Sequence, residues 1–193
     1  MIIDISQEVF SSKVYPGDPA PVGERLSSMH DGALYNLTAF SMCAHNGTHV
    51  DAPFHFIKDG KTVDQMSLEA FVGDCYVVRH EGDVTGADAL RILKKAREVN
   101  AWQRILIAGQ AVVTKEAARV FADAHIRLLG NESQTVGPAD APMEVHQILL
   151  GAEVVLLEGI VLDGVEEGKF WLSAAPLNLA GSDGAPCRAV LVK

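Results

Sequence analysis

Apolar positions along this chain fall into two alternating patterns, short unbroken runs and longer stretches with a helical repeat. Arg104-Ile105-Leu106-Ile107-Ala108-Gly109 is apolar until glycine closes it, which predicts a strand buried on both faces. Glu153-Val154-Val155-Leu156-Leu157-Glu158-Gly159 has the same form but ends in a carboxylate, and residues 75–79 and 126–130 read as further strands. Helical stretches lie between these runs. Thr85-Gly86-Ala87-Asp88 has the form of a capping box, and Leu90, Leu93 and Ala96-Arg97 carry a helical period to about residue 98. Thr114 caps a second helix over residues 115–124, and Pro142 stands at the start of a third, where its missing N–H costs nothing.

Outside this middle section the pattern predicts strands at residues 2–5, 37–42, 169–175 and 187–192, and a short helix at 67–71. Tyr15-Pro16-Gly17-Asp18-Pro19, Gly137-Pro138 and Gly181-Ser182-Asp183-Gly184-Ala185-Pro186 are turn chemistry. Strands alternating with helices predict an α/β fold, a mixed and partly parallel sheet with flanking helices. The 193 residues suit a single domain spanning 1–193, with no internal repeat or low-complexity segment.

Charge narrows the partners. With 25 acidic against 16 basic side chains the formal net charge is −9, and no basic run interrupts it, so a nucleic acid would meet repulsion. The first residues, Met1-Ile2-Ile3-Asp4-Ile5, lack the basic and apolar regions of a secretion signal, and no apolar run reaches the ~20 residues of a membrane span. A cytoplasmic protein with no membrane partner is the expectation. Cys43, Cys75 and Cys187 are odd in number and far apart, which favours free thiols over a disulfide framework.

The candidate chemistry is concentrated in His45-Asn46-Gly47-Thr48-His49-Val50-Asp51-Ala52-Pro53-Phe54-His55, three imidazoles and a carboxylate spaced i, i+4, i+6 and i+10. This is a ligand set that divalent metals take from proteins. A helix here is opposed by Gly47, Thr48, Val50 and Pro53. A straight strand would hold His45 and His55 roughly 33 Å apart, so the backbone must bend, and Gly47 and Pro53 are where it can. Cys43 adjoins the stretch as a further candidate ligand. His146 and Glu158 are each polar within an apolar segment; Glu158 is expensive to bury unless bound to metal or paired, with Arg188 as a possible ion-pair partner. His30, His80 and His125 read as surface residues, and Glu132 as a loop residue near the pocket.

The run His-x-Gly-Thr-His-x-Asp-Ala-Pro-x-His resembles the signature of the metal-dependent cyclase/hydrolase family that includes bacterial kynurenine formamidase (arylformamidase) and isatin hydrolase. The likeness extends to Asp4-Ile5-Ser6, Pro16-Gly17-Asp18, His146, Leu156-Leu157-Glu158-Gly159, Pro176-Leu177 and Asp183-Gly184-Ala185-Pro186-Cys187-Arg188. It implies a swivelling β/β/α type of domain, usually a homodimer or homotetramer, with two divalent metals per chain, zinc or manganese. His45, His49 and Asp51 would hold one metal, Asp51 would bridge to a second held by His146 and Glu158, and His55 would be the general acid/base. Tyr15 stands where relatives acting on formylkynurenine carry a tryptophan, and would contact a small-molecule substrate. The reaction implied is hydrolysis of a small amide C–N bond, with N-formylkynurenine giving kynurenine and formate. Hydrolysis of a cyclic amide or lactone, and a non-catalytic metal-binding module, are the alternatives.

Overall fold

A computed structural model describes all 193 residues. In chain order the strands are β1 (Ile2–Asp4), β2 (Val22–Ser27), β3 (Leu37–Ser41), β4 (His49–Asp51), β5 (Val72–Arg79), β6 (Gly82–Val84), β7 (Arg104–Ala108), β8 (Ala111–Val113), β9 (Leu128–Asn131), β10 (Val155–Glu158), β11 (Gly168–Ser173), β12 (Gly184–Pro186) and β13 (Val190–Val192). The helices are α1 (Leu68–Phe71), α2 (Gly86–Glu98), α3 (Lys115–Asp123) and α4 (Met143–Gly151).

Nine strands form one mixed sheet in the order β1-β13-β11-β5-β7-β9-β10-β4-β12. Its centre, β5-β7-β9-β10, is parallel, and α2, α3 and α4 make the three crossovers. Here the unbroken apolar runs are explained: β7, β9 and β10 are buried at every residue, covered by helices on one face and by the rest of the curled sheet on the other. Alternation sends Ile105, Ile107 and Leu156 to the helix side and Leu106, Ala108, Val155 and Leu157 to the other.

The sheet closes towards a barrel. Strands β12 and β13 stand seven inter-strand spacings apart in the sheet order, roughly 34 Å if it were flat. Only residues 187–189 join them, a reach of about 14 Å at most. Curling is therefore obligatory, and the single strand expected at 187–192 is instead two short ones on opposite margins of the sheet.

The capping signals form as expected. Thr85 Oγ1 accepts from Asp88 N at 3.2 Å while Asp88 Oδ2 accepts from Thr85 N at 2.9 Å. Thr114 Oγ1 accepts from Ala117 N at 3.3 Å. The buried stripe of α2 is Ala89, Ile92, Leu93 and Ala96, with Leu90 in solvent, so the helix sits rotated from the face the sequence suggested. Each crossover helix ends in a left-handed residue two positions past its last turn: Asn100, His125 and Glu153. His125 and His30 are exposed and His80 is half-buried, in line with surface roles.

Two features were missed. Residues 22–27 pair with β3 in a separate, exposed hairpin, so the strand leading to the metal-ligand stretch is not part of the main sheet. β6 and β8 form a small parallel pair beside α2 and α3. No helix is long and apolar enough to cross a membrane.

Candidate metal centre

Pairing of β4 with β10 sets His49 opposite Glu158 and Asp51 opposite Leu156. Val50 and Leu157 lie in the core away from the helices, so alternation directs His49, Asp51 and Glu158 to the helix side, at the carboxyl end of the parallel strands. α4 brings His146 to the same place. The His49 Nε2 atom is 3.5 Å from Asp51 Oδ1 and 3.5 Å from Glu158 Oε2, and His146 Nε2 is 3.6 Å from Asp51 Oδ2 and 3.3 Å from Glu158 Oε1.

The backbone bends where the two breakers sit. Gly47 has φ +63°, and a Cβ there would lie 3.0 Å from Ser12 Cβ, so the turn needs glycine for conformation and for space. Pro53 opens a one-turn 3₁₀ segment ending at His55. The result is that His45, His49 and His55, which an extended chain would scatter, line one cavity of about 400 Å³ with His146 and Glu158, and Asp51 lies buried directly behind them, in reach of His45, His49 and His146. His45 Nδ1 is 2.8 Å from Asp51 Oδ1, its Nε2 is 2.8 Å from Asp183 Oδ2, and His55 Nδ1 is 3.0 Å from the same Asp183 oxygen. The His45 and His55 rings stack with centroids 4.0 Å apart.

The donor set fits a divalent cation. His49 Nδ1 donates to Gly47 O at 2.9 Å and His146 Nδ1 donates to Pro142 O at 2.8 Å. A carbonyl only accepts, so both Nδ1 atoms carry a hydrogen and both Nε2 atoms are turned to the carboxylates, the orientation found behind ligating histidines. Asp51 and Glu158 are 1% and 2% exposed, and no lysine or arginine pairs with either. Two buried carboxylates, offset only by imidazole nitrogens and, at Glu158, by the Val136 N–H at 2.8 Å, are costly until a cation joins them. Ligand atoms of His49, Asp51 and Glu158 lie within 4.8 Å of one another, as do those of His45, Asp51 and His55.

The electrostatics agree. Burial disfavours the charged form of His45, but hydrogen bonds to Asp183 and Asp51 outweigh it and carry the imidazole up to about 10. His49 and His146 are raised in the same way, burial being overcome by Glu158 and Asp51. Burial pushes the Asp51 carboxyl up, yet the His45 hydrogen bond and the surrounding imidazoles hold it well below the usual carboxylate range. Asp183 is lowered by hydrogen bonds from His45 and His55.

All six residues singled out as ligands or proton carrier thus converge. Tyr15 also lines the cavity, its hydroxyl donating to Ala139 O at 3.3 Å. Cys43 lines it as well, but its sulfur contacts Asp18 Oδ2 at 3.6 Å and, unlike His146, is not set against Asp51 or Glu158. Glu132 ties backbone together instead, accepting from Gly109 N at 2.6 Å and Leu162 N at 2.8 Å. Arg188 does not reach Glu158; it pairs with exposed Asp4. Asp183 belongs to the run that carries the family likeness but has no site role in the sequence reading, because a carboxylate in a turn of small residues, 138 positions from His45, does not declare its partner. Gln134 and Thr135 are further cavity residues without a sequence pattern to mark them; Gln134 Oε1 and Thr135 Oγ1 are buried without hydrogen-bond partners.

The chain is similar over nearly its whole length to known proteins. The Cyclase family model, described as "Putative cyclase", matches residues 3–138. The kynurenine formamidase of Salinibacter ruber (strain DSM 13855 / M31) is 34% identical, covering 98% of this chain and 96% of its own. A solved structure described as a potential metal-dependent hydrolase with cyclase activity superposes with a TM-score of 0.81 at 27% identity, covering 99% of this chain and 96% of that one. Isatin hydrolase A from Labrenzia aggregata shares the fold, with a TM-score of 0.81 at 24% identity over 99% of this chain and 93% of its own.

Proposed function

The chain belongs to the Cyclase family, and on that premise we propose that it is a metal-dependent hydrolase, over residues 1–193, that cleaves a small amide C–N bond in the manner of an arylformamidase. N-formylkynurenine, giving kynurenine and formate, is the substrate to which the kynurenine formamidase relative points. The observation that carries the reading is the convergence of His45, His49, Asp51, His146 and Glu158 on one cavity, with two of the imidazoles already turned by backbone carbonyls.

Two divalent ions per chain, zinc or manganese, suit the donors. Asp51 Oδ1 faces His45 and His49 while Oδ2 faces His146, which supports Asp51 as a shared ligand; His45 and His49 would hold one ion and His146 and Glu158 the other, with His49 Nε2 standing 3.5 Å from both Asp51 Oδ1 and Glu158 Oε2. A metal bound there supplies Lewis acidity, polarising a carbonyl and acidifying water.

The chain's own residues do the rest. With Nδ1 engaged by Asp183, His55 has Nε2 free to accept a proton from attacking water and return it to the departing nitrogen as the C–N bond breaks. Phe56 packs edge-on to His55 with ring centroids 4.6 Å apart and against His146 at 4.7 Å, and with Tyr15 forms an aromatic wall suited to an aryl ring. A homodimer or homotetramer is the proposed assembly, supported by the apolar surface of the β2–β3 hairpin region, where Leu34, Tyr35 and Phe40 are exposed.

Turnover by protein loaded in turn with zinc and manganese, across N-formylkynurenine, isatin and simple lactones, tests the proposal. Metal-dependent release of formate is expected. Turnover confined to isatin or lactones transfers the activity to cyclic substrates, and no hydrolysis of any amide by metal-loaded protein ends the reading.

A further inference from the structure

One carboxylate oxygen touches both a candidate ligand and the candidate proton carrier. Asp183 Oδ2 is 2.8 Å from His45 Nε2 and 3.0 Å from His55 Nδ1, and a carboxylate oxygen in that position accepts from both. We infer that Asp183 is a shared positioning residue, fixing His45 with Nδ1 towards Asp51 and His55 with Nε2 as the nitrogen free for the cavity. The inference rests on the ligand role of His45 and the proton-carrying role of His55 proposed above.

The turn that carries Asp183 is built for the task. Its backbone is pinned to the ligand stretch, Asp183 O accepting from Ala52 N at 2.8 Å, and Ser182 O accepts from Val63 N at 2.9 Å. The next residue must be glycine, because a Cβ at Gly184 would lie 2.6 Å from Val50 O and 2.7 Å from His45 Cε1. Close approach of the turn to His45 is thus written into the backbone. With both rings stacked at 4.0 Å, a single acceptor can serve them because their donating edges meet on one side. Outer carboxylates of this kind hold a ligating imidazole in one tautomer and raise its basicity. Here the same atom also sets the tautomer of the neighbouring acid/base, so metal retention and proton transfer are linked through one side chain.

Asp183→Asn tests this with readouts that a merely structural residue does not move. Metal affinity, measured by competition with a chromophoric chelator, is expected to weaken about 10- to 100-fold. At saturating metal, kcat should fall at least about tenfold while KM changes little, the mark of a group that acts through another on the transition state. Asp183→Asn combined with His55→Ala should be no slower than His55→Ala alone, since the effect on kcat passes through His55.

Wild-type affinity and kcat in folded Asp183→Asn, or additive losses in the double variant, overturn the inference. Nitrogen-15 NMR of the wild-type histidines decides it without any variant: the proton of His55 belongs on Nδ1 and that of His45 on Nε2 in the zinc-loaded protein, and the opposite tautomers refute it. Failure of the proposed function is distinguishable, because wild-type protein would then bind no metal or hydrolyse no amide, whereas the His55 tautomer is measurable in either case.

Discussion

The site has a deep half and a shallow half, held in place by different means. His49, Asp51, His146 and Glu158 are at most 3% exposed, the two imidazoles are oriented by backbone carbonyls, and Glu158 Oε1 accepts from Val136 N at 2.8 Å. In the shallow half the side chains of His45 and His55 are 13% and 26% exposed and share a carboxylate that is itself 39% exposed. Groups tied to backbone amides and carbonyls can shift only if a strand or helix shifts with them. Groups tied to one side chain can reorient locally. The deep half is therefore suited to holding cations, while in the shallow half His45 completes the ligand set and His55 is free to move protons between substrate and water.

The sharpest way to break this contrast is Glu158→Ala. The substitution removes a buried charge partner from two imidazoles and strands the Val136 N–H, so metal-free protein should lose about 3 kcal/mol, read by denaturant unfolding. Metal content should fall with it. A variant as stable as wild type and fully loaded would erase the distinction between the halves. His55→Ala is the opposing case: kcat should drop about 10²- to 10⁴-fold, while metal content is kept and stability stays within about 0.5 kcal/mol.

Metal itself sharpens the comparison on a smaller scale. An ion present at 100 times its dissociation constant should stabilise the fold by about 2.7 kcal/mol, and chelation should remove both that increment and the activity. His55→Ala should retain the increment and Glu158→Ala should lose it. Equal increments in the two variants would mean that the deep half does not hold the metal.

The deep half was largely legible in the sequence, and the reason is physical. His49 and Asp51 stand in a local ligand cluster with His45 of the shallow half, and Glu158 stands out because a carboxylate closing an apolar run must be compensated somewhere. Strand β10 and the three crossover helices were legible for a similar reason, since each declares its period and its caps within its own residues. What escaped depends on long-range closure. Curling of the sheet makes residues 184–186 an edge strand beside β4 and carries Asp183 to His45, and the one local trace of that approach, Gly184, reads in the sequence only as a turn glycine. The β2 strand escaped because it is exposed, so Val22-Gly23-Glu24-Arg25-Leu26-Ser27 shows no alternation between core and solvent.

The thiols extend the contrast beyond the ligands. Cys75 is fully buried in β5, and burial pushes its thiol up to about 12, with the Arg104 charge only partly opposing this. Cys43 is half-buried on the cavity wall. Alkylation at pH 8 followed by mass spectrometry should therefore label Cys43 ahead of Cys75, and bound metal should slow the reaction at Cys43 alone. The sign of the linked stability follows from the raised value: the folded state keeps the Cys75 proton that the unfolded chain releases above its ordinary value of 9.0. The contribution of Cys75 to stability is thus complete below pH 9 and declines as pH rises towards 12, by about 1.4 kcal/mol per pH unit at most. In Cys75→Ala that part of the alkaline loss should vanish, leaving a pH-independent packing cost of about 1 kcal/mol. Early labelling of Cys75 in native protein, or an unchanged alkaline slope in Cys75→Ala, would show that the core beside the site opens to solvent as readily as the cavity does.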